Sequence, residues 1–162
     1  MNKFSEYIKY LAENHQAIRH EDNVHVHFLS SDDSKHTCID SELCYPAVII
    51  DKGVGYNFSG SAVAYFRDNI YQLFIVQHVH DTSDYSEINS ALDECSGILD
   101  DFLRRIMADR NISEYRFLKT FNLVDVEVEY IQNVDNSQYG VLALIPLPES
   151  YNHVLCYNPF LK

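Results

Sequence analysis

Residues 70–110 read IYQLFIVQHVH, then DTSD, then YSEINSALDECSGILDDFLRRIMADR, and the change of period inside that stretch decides the fold. Leu73, Ile75 and Val79 fall on one side of an alternating run, while Ile70, Phe74 and Val76 supply the other. That pattern predicts a strand from Ile70 to His80 with both faces partly covered. Asp81-Thr82-Ser83-Asp84 then breaks the alternation as a turn and helix cap, with Glu87 three residues after Asp84 as its capping-box partner. From Tyr85 to Arg110 the period becomes helical. Ile88, Leu92, Cys95, Leu99, Phe102 and Ile106 step by three and four, the single apolar stripe of a long amphipathic helix. Acidic residues lie early in it and Arg104, Arg105 and Arg110 late, which suits the helix dipole.

Working outward toward the N-terminus, Asp51 to Asn69 carries Gly53, Gly55 and Gly60 between aromatic residues. It predicts an extended loop or a loose hairpin turning at Arg67-Asp68-Asn69. Tyr45-Pro46-Ala47-Val48-Ile49-Ile50 reads as a short buried strand entered through a proline. Ser30 to Glu42 is polar and reads as a loop. Before it, Val24, Val26 and Phe28 alternate with His25 and His27, the period of a half-buried strand. Phe4, Ile8, Leu11 and Ile18 recur at helical spacing and predict a helix over roughly Lys3 to Arg19.

Toward the C-terminus, Val124, Val126, Val128 and Tyr130 alternate with Asp125, Glu127 and Glu129, a strand with one apolar face. Asn133 to Gln138 supplies a turn, and Tyr139 to Leu147 returns as a second strand. The order α-β-β-(loop or hairpin)-β-α-β-β predicts an α+β domain. Its antiparallel or mixed sheet is flanked by an N-terminal helix and one long central helix. The division expected is one domain over 1–147 and a short C-terminal docking tail over 148–162.

The chain has 162 residues, enough for one domain that buries roughly 70% of its unfolded surface without metals or disulfides. Apolar residues make up 46% and charged residues 22%, a globular balance. Twenty-four Asp and Glu stand against 12 Lys and Arg, a formal charge of −12. That argues against gripping nucleic-acid phosphates or an anionic membrane, both of which need clustered cations. No run approaches the roughly 20 apolar residues of a membrane-spanning helix, and Met1 to Leu11 lacks a signal-peptide pattern. Cys38, Cys44, Cys95 and Cys156 form no CxxC pair, so free thiols in a reducing interior are expected, with Cys95 in the core.

The chemistry-bearing patterns are sparse. His25 and His27 share a strand face, as do His78 and His80, and a His-x-His pair can hold zinc or iron when a third ligand converges. No further ligand spacing supports a metal, and the plainer reading is polar histidines on the solvent side of two strands. There is no GxSxG elbow and no P-loop, and Gly53-Val54-Gly55 is not completed into a dinucleotide fingerprint. Asp100-Asp101 reads as solvated charge on a helix face. No catalytic residue, cofactor or metal is therefore expected.

What remains is an aromatic surplus of 12 Tyr and 9 Phe without Trp, much of it outside the periodic core positions. Tyrosine is enriched at protein interfaces, so Tyr56, Phe58, Tyr65, Phe66, Tyr151, Tyr157 and Phe160 are candidate interface residues. The competing reading is that several of them complete the core under long loops.

The arrangement resembles the tail terminators and head–tail connector (neck ring) proteins of tailed bacteriophages. The likeness covers roughly Met1 to Leu147. It rests on the N-terminal helix, the Pro-Ala-Val entry at Pro46-Ala47-Val48, the Gly- and Tyr-containing loop at Gly53 to Tyr56, and the strand–turn–helix of residues 70–106. The two closing strands complete it. Ser30 to Glu42 and the tail after Pro148 exceed that compact pattern. The resemblance implies a structural, non-enzymatic virion protein of the neck or tail region, made in the host cytoplasm. It would form a sixfold or twelvefold homo-oligomeric ring, contacting portal, neck or tail proteins, with genomic DNA passing through the lumen without specific binding. An acidic lumen would repel phosphates. Two other expectations stand beside it: a small metal-binding domain or enzyme using the strand histidines, and an acidic adaptor that binds a basic protein.

Overall fold

The structure, a computed structural model, describes residues 2–31, 43–61, 64–133 and 136–150, with the backbone alone at 53–61, 64–66 and 149–150. Helix α1 spans Lys3–Asn14. The Asn2 side chain caps it, accepting from the Phe4 and Ser5 amides at 3.0 and 2.9 Å. Phe4, Tyr7, Ile8 and Leu11 form its buried stripe. The helix was expected to reach Arg19, but it ends at His15, where ψ turns to 131°. Ile18 is still buried at 2% exposure. A tight turn carries it inward, with the Ile18 and Arg19 amides on the His15 carbonyl and Arg19 at φ 51°. Helical spacing and this turn place Ile18 on the same side, so periodicity alone does not separate them.

Five strands follow: β1 (Val26–Ser30), β2 (Leu43–Ser61), β3 (Ala64–His78), β4 (Glu127–Asn133) and β5 (Gln138–Ser150). Helix α2 (Tyr85–Asp109) lies between β3 and β4. The sheet order is β1-β2-β3-β5-β4. Among the described residues only the β1–β2 pair is parallel, so the sheet is mixed and the fold is α+β.

Three strand boundaries correct the expectations. Asp51–Asn69 is no loop: β2 and β3 form one long hairpin, and Arg67 and Asp68 pair with Phe58 and Asn57 inside it instead of turning. Glycines and aromatics here follow a strand that bulges between Lys52 and Tyr56. Val24 does not join β1; it is 59% exposed in the turn closed by the Glu21–His25 bridge, next to Asn23 at φ 64°. Leu123–Asp125 coils into a 3-10 turn, so β4 begins only at Glu127. A second 3-10 segment, Ser113–Leu118, buries Leu118.

Both helices cover one face of the sheet. Val48, Ile50, Leu73, Ile75, Val141 and Ile145 point into that core and meet Phe4, Ile8, Leu99 and Phe102 from the helices. Cys95 is also fully buried there. The opposite face carries Ile49, Phe74, Leu142 and Leu144, each half-buried, and neither α1 nor α2 lies on it among the described residues. The last strand was expected to end at Leu147. Its pairing with β3 instead continues to Ser150, opposite Phe66, because the long hairpin gives β5 a partner that far.

Candidate functional site

Strand β4 is the outer edge of the sheet, and among the described residues it pairs with β5 alone. In an antiparallel ladder directly opposed residues share a face. Val128 opposes Ala143 and Tyr130 opposes Val141. Ala143 and Val141 are fully buried under the helices, whereas Val128 is 50% and Tyr130 65% exposed. The one-sided apolar pattern of β4 is therefore real, and its apolar side points the expected way, but neither helix reaches out far enough to cover it. Leu123 and Val124, in the 3-10 turn just before the strand, are exposed as well. Glu127 and Glu129 project to the opposite face, beside Leu144 and Leu142. An edge strand with free backbone groups, an apolar side and charges only on the other side is built for contact with another chain.

The other candidate interface residues divide. Tyr56 and Phe58 belong to β2, and Tyr65 and Phe66 to β3; the placement of their side chains lies outside what is described. Tyr151, Tyr157 and Phe160 lie outside the described residues altogether.

The histidines do not converge on a common point. His25 is exposed before β1. His27 uses Nδ1 against the Pro46 carbonyl at 2.9 Å. His78 and His80 stack edge to face with ring centres 5.2 Å apart, and His78 also faces Tyr45. Among the described residues, no group of three or more His, Cys, Asp or Glu could hold a metal ion. Nor is any described helix long and apolar enough to cross a membrane.

The buried carboxylate of Asp109 and the buried thiol of Cys95 serve the fold. Asp109 at the end of α2 accepts from the Tyr7 hydroxyl at 2.9 Å and from Arg105 Nε at 2.8 Å, tying the two helices together. Burial, and then the Asp109 carboxylate, push the Tyr7 hydroxyl far above its ordinary pKa. Burial pushes the Cys95 thiol up to about 12, so it stays protonated and unreactive at neutral pH. At the start of α2, Asp84 caps the helix as expected, accepting from the Ser86 and Glu87 amides. Glu87 turns back past it, to the His80 and Asp81 amides, and so pins the end of the β3 segment to the helix. Bonds from Ser83 hold the Asp81 carboxyl below its usual pKa.

No family model matches the chain, and no curated protein sequence matches it.

The sequence pattern missed the uncovered side of β4. The alternation itself was legible, but whether a helix overhangs an edge strand depends on the angle at which α2 crosses the sheet, and no periodicity encodes that.

Proposed function

We propose that the chain is a ring-forming structural subunit of a tailed-bacteriophage neck, a tail terminator or head–tail connector, acting by assembly and not by catalysis. The observation that carries this reading is the bare apolar side of β4: Val128 and Tyr130 lie in line with fully buried residues yet face water. A neighbouring chain seated there would complete a core that the monomer leaves open. The α+β element order agrees with the resemblance described above. A ring needs heterologous contacts, each pairing two different surfaces. The β4 strip is one of them, and the long β2–β3 hairpin is the second candidate. Each copy brings a formal charge of −12, so a lumen lined with that charge would repel DNA phosphates and let the duplex slide.

The test is sedimentation velocity on the purified chain and on a Val128→Ser/Tyr130→Ser variant, together with mass spectrometry of purified virions of the encoding phage. The expected results are a closed oligomer, its loss in the variant, and a fixed copy number per particle. A wild-type chain absent from the particles refutes the proposal, as does a variant that assembles like wild type.

A further inference from the structure

At the opposite end of β5 from the β4 ladder, a cavity of about 460 Å³ opens between the start of α1, the β2–β3 hairpin and the Ser113–Leu118 segment. Its volume lies in the range of small-ligand sites. Phe4, Tyr71, Asn69 and Leu147 form a buried floor, with the Phe4 and Tyr71 rings 4.7 Å apart. Lys3, Lys52, Arg67, Arg116 and Lys119 line its walls and mouth. These are five of the chain's 12 Lys and Arg. No Asp or Glu is among the described lining residues, although acids outnumber bases two to one in the chain.

Lys9, Arg104 and Arg105 each pair with an aspartate. Lys3, Lys52, Arg116 and Lys119 make no ion pair among the described residues. Arg116 and Lys119 also line an adjoining cleft with Arg110, which extends the positive surface. Like charges gathered at one mouth repel one another, and a bound anion removes that cost. The Asn2 side chain already satisfies the first amides of α1, so the attraction comes from these side chains and not from the helix end.

The shape of the site narrows the anion. Arginine forks and lysine ammoniums around a mouth match the several oxygens of a phosphate ester. A floor of two aromatic rings and a leucine matches a flat apolar group joined to it. Fields of surface charges fade within about 8 Å at physiological salt. A small ligand seated inside the cavity therefore feels the local cations, whereas a duplex laid across the surface also meets the acidic remainder of the chain. We infer that this cavity binds phosphate esters that carry a planar ring, the chemistry of a nucleotide, either free or as the terminal nucleotide of a single DNA strand. The inference stands apart from the assembly reading and goes beyond it.

Isothermal titration tests it with ADP, pyrophosphate, adenosine, citrate, and a short oligothymidylate with and without a 5′-phosphate. One ADP should bind per chain, at least about tenfold more tightly than pyrophosphate because of the ring, with adenosine and citrate showing no saturation. Lys52→Glu/Arg116→Glu should weaken ADP by at least about tenfold while leaving the melting temperature unchanged, and Arg104→Glu should leave binding as it was. Tight binding of the 5′-phosphorylated strand but not of its unphosphorylated form identifies a strand end; ADP binding alone identifies the free nucleotide. Absence of saturable binding by either probe at about 5 mM overturns the inference, since that is weaker than millimolar affinity. Citrate binding as well as ADP overturns it, and so does a double variant that retains wild-type affinity.

Discussion

The bond between Tyr7 and Asp109 joins residues 102 positions apart and offers a measurable test of how the two helices hold together. Both side chains are buried, at 3% and 2% exposure. Tyr7→Phe removes only the hydroxyl and keeps the ring's edge contacts with Tyr115 and Phe117. Asp109 keeps Arg105 as a partner, so the cost is that of one hydrogen bond to a charged group, about 1.5–3 kcal/mol. In a domain of this size each kcal/mol lowers the melting temperature by about 2–4 °C, so the drop should be about 3–12 °C. Asp109→Ala strands the Tyr7 hydroxyl in the core and should cost at least as much. The double variant has no stranded hydroxyl, so a thermodynamic cycle from urea denaturation should return a coupling of about 1–2 kcal/mol. Alkaline titration gives a second reading. Tyr7 is held above its ordinary value of 10.0, so the native state keeps a proton that the unfolded chain releases. The stability this represents is complete below pH 10 and drains away as pH rises beyond it, by up to about 1.4 kcal/mol per unit. Tyr7→Phe should flatten that alkaline loss. Single-variant costs that add to within about 0.3 kcal/mol, with an unchanged alkaline limb, refute the coupling of α1 to α2 through this pair.

Three further outcomes follow from the packing. At Gly140 an added Cβ would lie 2.0 Å from the Ile75 carbonyl oxygen and 2.8 Å from Val76 Cα, backbone atoms that cannot swing aside. Gly140→Ala should therefore exceed the usual overpacking cost of about 1–3 kcal/mol, seen as loss of soluble yield or of cooperative melting. Phe102 is 1% exposed at the centre of the α2 stripe, and Phe102→Ala should cost about 3–5 kcal/mol by denaturant titration. Tyr130→Ser should leave monomer stability within about 0.5 kcal/mol while weakening self-association in sedimentation.

Much of this architecture was legible in residues 70–110, because strand period, cap and helix period follow one another there without interruption. Helix α2 spans Tyr85–Asp109 against an expected Tyr85 to Arg110. The α1 boundary and the β2–β3 hairpin were less legible for two reasons. Ile18 is buried by a turn that imitates helical spacing. Gly53, Gly55 and Gly60 sit inside a strand, where local preference for loops yields to pairing with β3. The candidate interface was legible only as an aromatic surplus, and the side that the fold leaves open, at Val128 and Tyr130, was not singled out. The cationic cavity could not have been read from the sequence. Lys3, Lys52, Arg67, Arg116 and Lys119 are scattered over the whole chain, and only the sheet and the 3-10 segment gather them.

The central strand β3 is paired on both sides, and its second partner is the last described element in chain order. His78 meets Gln138 and Phe66 meets Ser150, separations of 60 and 84 residues. During synthesis the β2–β3 hairpin and α2 therefore emerge with one flank of the sheet still open, and the ordered core waits until β5 has left the ribosome. Closing so long a loop is entropically slow. Throughout that interval the nascent chain exposes an unsatisfied strand, the state in which a holding chaperone is most useful and in which a ribosome stalled before Gln138 would leave a product prone to aggregate.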